Sequence, residues 1–286
     1  MTKVVLTIAG LDPSGGAGII ADIKTISAFG CFPAAAVSSL TFQNTVGVFG
    51  AEHQTAETVR RQVEPVLEDF DVAALKTGML PTGEVIGEVA RLVAENGLKN
   101  LVVDPVVRST SGFDLIDDAA LKVLIEKLFP LSDLITPNIP EAERIAGFQI
   151  RSREDLEKAA RRMQDLGAKN VLIKGGHLFD ENISGETNMT ETPGNRAKTE
   201  NNQATDYLWL GEELHIWSSE FIDTRSTHGT GCTLSAAVAA NLALGKDLAP
   251  AVEISKKFVT EAIRTSPDLG GGHPPVNHLI DVTKLV

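Results

Sequence analysis

Residues 223–240 read DTRSTHGTGCTLSAAVAA, a stretch that leaves a strand end, turns on two glycines and passes directly into a helix. Such a junction is an anion site. The first-turn amides of a helix have no intrahelical partner, and the positive end of its dipole points the same way. Gly229 and Gly231, flanking Thr230, let a phosphate approach the backbone without a side-chain clash. Cys232 follows as the nucleophile of the turn. A thiol at a helix N-terminus has its thiolate favoured by the dipole, so Cys232 is expected to take or share the proton of an attacking hydroxyl while the amides hold developing charge. The same letters also fit a plainer role, in which Cys232 is a small buried apolar residue and the glycines only tighten a turn.

Outward from this junction, short apolar runs alternate with amphipathic segments. Val4–Ala9 is a strand run ending at Gly10; LDPSGGAG follows, and a helix is expected from about Ile19 to Phe29. Further strands are expected at Ala34–Leu40, Val72–Leu75, Leu101–Val103, Leu134–Ile135 and Val171–Ile173, with helices near 56–69, 83–96, 117–128, 139–147 and 153–166. DYLWLGEELHIW, with Gly211 at its centre, reads as a hairpin that rejoins the sheet, and two more helices are expected near 230–244 and 247–265. This alternation implies an α/β fold, a mainly parallel sheet covered by helices on both faces. No repeat or linker divides the chain, so residues 1–286 are expected to form one domain. From about 180 to 205 the composition turns to Asn, Thr, Glu and Gly, marking a polar, solvated insertion, with a lid as the alternative.

With 286 residues, 43% of them hydrophobic, the chain can bury a large core. Its net charge of -12, pI near 5.0 and lack of a basic stripe exclude nucleic acid and an anionic membrane surface as partners. Two cysteines, Cys31 and Cys232, make neither a disulfide framework nor a metal spacing and suit a reducing cytosol. MTKVVLTIAG enters a strand pattern with no signal organisation, and no apolar run reaches membrane-spanning length. A soluble, cytoplasmic protein is expected.

Ligands of such sheets sit beyond the carboxyl ends of the strands. There stand Gly10, the Gln43-Asn44 pair, Lys76–Met79, Asp104–Val106, Thr136–Asn138 and Lys174–His177. The loop at 10–18 lacks the Gly-Lys-Ser/Thr ending of a P-loop, and Ala21 stands where a dinucleotide motif has its third glycine, so neither common nucleotide fold is expected. Asp104, before Pro105, is placed to hold magnesium directly or through water. Glu141 follows Asn138 by three residues at a helix start. A cap or dipole partner is the alternative for each. Lys174 ends an apolar strand before two glycines, within reach of a nucleotide phosphate or else out in solvent. Asp22 either complements its helix dipole in solvent or faces a ligand, and His177 stands open between catalytic and solvated roles. Met79 and Val106 read as packing residues, and Cys31 as a buried thiol.

AGLDPSGGAGIIADIKT, LTFQNTVGV, LKTGML, VVDPVV, TPNIPEAE, VLIKGGH and THGTGCTLSAAVAA, in this order, resemble the hydroxymethylpyrimidine and phosphomethylpyrimidine kinases of thiamine synthesis, within the ribokinase-like superfamily. The resemblance covers nearly the whole chain. It implies a three-layer α/β/α sandwich that transfers the γ-phosphoryl group of ATP to the hydroxymethyl group of an aminopyrimidine, then phosphorylates that monophosphate to the pyrophosphate. ATP and Mg2+ would be the cofactors, and a homodimer is left open. Gly10, Asp22, Gln43, Met79 and Val106 match positions around the pyrimidine, and Cys232 matches the catalytic thiol. Gly229, Thr230 and Gly231 would hold the transferring phosphoryl group. Asn138 and Lys174, with Thr230 and Gly231, would contact the nucleotide, while Asp104 and Glu141 would organise magnesium.

The departures are LD where the family often has SD after the first glycine, Phe42 where a small residue is usual, and the polar insertion. A pyridoxal or pyridoxine kinase on the same scaffold is the runner-up, and a non-catalytic sensor that binds the pyrimidine or nucleotide is third. Gln43 favours the first. Its amide offers a donor and an acceptor to the matching edge of an aminopyrimidine, which pyridoxine lacks, unless the side chain turns back onto its own loop.

Overall fold

The computed structural model describes residues 1–107, 115–175 and 203–285. In chain order the elements are β1 (Val4–Leu11), α1 (Gly18–Ala28), β2 (Phe32–Gln43), β3 (Val48–His53), α2 (Ala56–Asp69), β4 (Val72–Thr77), α3 (Gly83–Glu95), β5 (Leu101–Val103), α4 (Asp118–Lys127), β6 (Leu134–Ile135), α5 (Ile139–Ala146), α6 (Arg153–Asp165), β7 (Asn170–Lys174), β8 (Gln203–Leu210), β9 (Glu213–Glu220), α7 (Thr230–Ala243) and α8 (Leu248–Arg264). The strands make a nine-stranded sheet in the order β3-β2-β1-β4-β5-β6-β7-β8-β9. From β2 to β7 neighbours run parallel; β3, β8 and β9 are antiparallel.

Successive strand residues point to opposite faces, and the sequence supplies apolar side chains at both parities. Leu6, Ile8, Leu75, Leu101, Val103, Ile135, Val171 and Ile173 face a layer built from α2 to α6, where Val63, Ile86, Leu121, Ile145 and Leu156 are buried. Their immediate neighbours Val5, Ala74, Val102, Leu134 and Leu172 face the opposite layer, with Ile26 of α1, Leu234 and Val238 of α7 and Phe258 of α8. The result is the expected ribokinase-like α/β/α sandwich. Helix α7 is buried from Thr233 to Ala243 and carries alanine at 236, 237, 239, 240 and 243, so it lies close against the sheet.

The structure departs from the sequence expectations in two places. Strand β2 continues beyond Leu40 to Gln43, and the unforeseen β3 pairs with it at the sheet edge. β3 carries no alternating apolar face, and Phe49 is exposed, so the pattern that betrays buried strands is absent. Residues 203–205, placed at the end of the polar insertion, instead open β8. The remainder of that insertion, and His177, lie outside the described residues. Among the described residues no helix is long and apolar enough to cross a membrane.

Candidate active site

Two glycine loops meet at the carboxyl ends of the central strands. Gly229, the N-cap of α7, has φ +83°, and a Cβ there would lie 1.8 Å from the Gly16 carbonyl oxygen of the β1–α1 loop. Only glycine allows that approach. Asp12 fastens the loops together. Its Oδ1 accepts from the Ser14 amide at 2.8 Å and hydroxyl at 2.7 Å, and its Oδ2 from the amides of Gly16 (3.2 Å) and Ala17 (2.9 Å). The same Oδ2 is 2.8 Å from Nε2 of His228, the residue preceding the GTG turn. Burial of Asp12 works against its charge, but the bonds from His228 and Ser14 prevail and hold the carboxyl well below its usual range.

Charge gathers beside the turn. Lys174, at the end of β7, places Nζ 3.0 Å from Oδ1 of Asp104. Thr136 donates to Asp104 Oδ1 and Ser235 of α7 to Oδ2, at 3.2 and 3.3 Å. A Cβ on Gly231 would lie 3.0 Å from the Lys174 ammonium and 3.8 Å from Asp104, so both press against the helix N-terminus. Lys174 is therefore no solvent-facing lysine: its side chain is 15% exposed. Glu141 and Asn138 form a capping box on α5, with Asn138 Oδ1 accepting from the Glu141 amide and Glu141 Oε2 from the Asn138 amide. Burial pushes the Glu141 carboxyl up to about 7, with Lys174 opposing and Asp104 adding to the rise. Lys174 is paired with Asp104, while the buried Glu141 lies near enough to feel the charge of both. That excess of oxygen and negative charge fits a hard divalent cation held by one or two carboxylates together with phosphate and water.

Asp22 is set apart. The sequence places it either against the pyrimidine or in solvent; the structure buries it fully, so it is not in solvent, and it does not line the cleft. Its oxygens stand 3.0 and 2.8 Å from Nζ of the equally buried Lys76, and it accepts from Thr7 Oγ1 at 2.6 Å. Helix α1 presents Asp22 on its sheet side, with Ile19 and Ile26, which explains the placement. Burial disfavours the Lys76 ammonium, but the paired Asp22, with Asp104 adding to it, keeps it protonated well above the ordinary lysine range.

At Cys232 desolvation opposes the helix dipole. Burial pushes its thiol up to about 11, outweighing Lys76 and the Gly18 backbone, which favour the thiolate.

These groups surround one cleft of about 420 Å³. Of the residues expected at a site, all but Asp22 line it: Gly10, Gln43, Met79 and Val106 on one side, Asp104, Asn138, Glu141 and Lys174 on another, and the turn from Gly229 to Cys232 between. Gln43 does not turn back onto its loop; among the described residues its side chain has no hydrogen-bond partner. Met79, read as packing, is 7% exposed and also lines the cleft, its Sδ 3.1 Å from where a Gly10 Cβ would stand.

Sequence reasoning missed Asp12, His228 and the lining pair Lys256 and Asp206, joined at 2.7 Å. Asp12 and His228 each stood inside a quoted motif, but only topology shows that they meet. Lys256 reads as one more polar residue on α8.

A family model described as phosphomethylpyrimidine kinase matches residues 12–277. The chain belongs to the phosphomethylpyrimidine kinase family. It is 42% identical over 276 residues to the thiamine biosynthesis bifunctional protein ThiED of Geobacter sulfurreducens, covering 96% of this chain but 52% of ThiED, so the kinase spans about half that relative's length. It is 41% identical over 273 residues to the hydroxymethylpyrimidine/phosphomethylpyrimidine kinase of Bacillus subtilis, covering 96% of this chain and 93% of that one. Among solved structures, an ADP complex of Bacillus subtilis pyridoxal kinase matches with a TM-score of 0.83 at 34% identity, covering 100% of both chains. The kinase is thus a phosphotransferase of thiamine biosynthesis, a family whose reactions use ATP.

Proposed function

We propose that this kinase, as one domain over residues 1–286 working in the cytoplasm, phosphorylates 4-amino-5-hydroxymethyl-2-methylpyrimidine and then its monophosphate, with ATP and magnesium. The observation that carries the substrate is Gln43. Its amide, which has no hydrogen-bond partner among the described residues, lines the same cleft as the GTG turn, where it can give and take a hydrogen bond along the edge of an aminopyrimidine. Gly10, Met79 and Val106 enclose the ring, and Asp22 acts from below through Lys76.

Phosphoryl transfer needs alignment and neutralisation of charge more than covalent help. The amides of Gly229 and Gly231 receive the moving phosphoryl group, with Thr230, whose amide donates to the Thr227 carbonyl at 3.4 Å, between them, and Lys174 and Asn138 reach the nucleotide phosphates. Asp104 and Glu141 would hold the magnesium ion, which when bound neutralises phosphate charge. The Cys232 thiolate, favoured by Lys76 and the Gly18 amide, takes the hydroxyl proton as the new O–P bond forms and the bond from the γ-phosphorus to the bridging oxygen breaks, releasing ADP. The product of that step is the neutral thiol that burial prefers.

A substrate panel tests the reading: the hydroxymethylpyrimidine, its monophosphate and pyridoxine, each with ATP and magnesium, followed by ADP release and by 31P NMR of the product. Turnover of both pyrimidines well above pyridoxine is expected. Pyridoxine as the best substrate would favour the pyridoxal kinase reading, to which the solved neighbour lends weight, and tight pyrimidine binding without ADP release would indicate a sensor.

A further inference from the structure

Beyond α8 the chain turns back and grips the loop that carries Gln43. The amide of His273 donates to the Thr45 carbonyl at 2.7 Å, and the amide of Gly272 to Thr45 Oγ1 at 3.3 Å. The fit is close: a Cβ on Gly272 would stand 2.0 Å from the Thr45 carbonyl oxygen and 2.6 Å from Val46 Cα. Gly270, at φ +86°, would place one 2.3 Å from Thr45 Oγ1. Between them Gly271 meets nothing within 4 Å.

The strap is anchored on the other side as well. His273 Nδ1 lies 3.3 Å from the Arg225 carbonyl, Pro275 bridges to His228, and His278 Nε2 is 3.0 Å from Thr233 Oγ1, one residue beyond Cys232. Within itself the β2–β3 turn is closed by the Asn44 amide donating to the Gly47 carbonyl (3.1 Å) and the Val46 amide donating to Asn44 Oδ1 (2.9 Å). It lies in an edge hairpin whose Phe42, Val46 and Phe49 are exposed, and the ladder register shifts between Phe42 and Gln43. Gln43 pairs with Val48 on the last rung, just past that shift, so its backbone is placed by the turn beyond it as well as by the strand.

We infer that the strap at 270–273 sets where the Gln43 amide stands, making Gly272 and Thr45 positioning residues for the pyrimidine. This rests on the reading that Gln43 binds that ring. The adjacent glycines supply the test. Gly272→Ala drives a methyl group into the Thr45 backbone and is expected to raise KM for the hydroxymethylpyrimidine about ten-fold, with KM for ATP within about two-fold. Gly271→Ala should leave both unchanged. Thr45→Val removes the hydroxyl acceptor and should raise the pyrimidine KM about three-fold, with Thr45→Ser restoring it. These two variants decide the matter should Gly272→Ala lower the melting temperature.

In a Gln43→Met background Gly272→Ala should add nothing further. Like behaviour of the two glycine variants, with Thr45→Val silent and Gln43→Met impaired, overturns the strap while leaving Gln43 at the pyrimidine. A silent Gln43→Met overturns the reading of Gln43 itself, and full additivity overturns action through it.

Discussion

His228 Nε2 and Asp12 Oδ2 stand 2.8 Å apart although 216 residues separate them, and through this contact the β1–α1 loop is tied to the turn that receives the phosphoryl group. His228→Leu should lower kcat about ten-fold with little change in KM for ATP, because the contact orients the amides rather than binding nucleotide. His228→Gln, which keeps a donor, should recover part of the loss. Unchanged kcat in the leucine variant would show the loops to be held by backbone alone. The folded-state pKa of Asp12 is depressed, so its contribution to stability is complete above the ordinary value of 3.8 and fades only as pH falls below it. Asp12→Asn should therefore destabilise at neutral pH and flatten the acid limb of a pH–stability curve.

At Cys232 the prediction concerns rate. Cys232→Ala should depress kcat about 10²–10⁴-fold with pyrimidine KM nearly intact, and Cys232→Ser should recover little, since a hydroxyl is a far weaker acid than a thiol. Because burial raises the thiol to about 11, the thiolate fraction grows with each step in pH from neutrality upward. The kcat of the unaltered protein should climb through that range rather than level off near pH 8. A level profile, or full activity in the alanine variant, would make the thiol mere packing.

Stability reports on Lys76 and Asp22. Removing one member of a buried pair strands the other, so Lys76→Met should cost roughly 3–5 kcal/mol in urea unfolding. Pairing it with Asp22→Leu should return much of that. A single-variant loss below about 1 kcal/mol would mean that water or another group solvates Asp22.

Substrate choice turns on Gln43. Gln43→Met keeps length and removes both polar groups, so kcat/KM for the hydroxymethylpyrimidine should fall about ten- to a hundred-fold while that for pyridoxine holds or improves. An equal fall on both substrates would remove Gln43 from the specificity argument.

The buried strands and amphipathic helices were legible because their periodicity is a direct print of burial. β3 was not, since an edge strand with one exposed aromatic leaves no such print. Cys232, Lys174, Asp104 and Glu141 could be named because each stands at an element's end, where side chains face a ligand. Asp22 could be named but not placed, for a carboxylate inside an otherwise apolar helix face looks solvated until its partner Lys76 is brought beneath it from β4. The upward push on the Cys232 thiol was hidden for a related reason: a sequence shows the helix dipole but not the desolvation that opposes it.

The Gly16–Gly229 contact also constrains the order in which the molecule can become active during synthesis. The first loop leaves the ribosome early, but its other half belongs to the last quarter of the chain. Until α7 and α8 emerge, only α1 covers one face of the sheet, and Ala74, Val102 and Leu134 there still lack the helices that bury them. A nascent or C-terminally truncated chain would therefore lack both anion cradle and solubilising layer, and aggregation would be its characteristic failure.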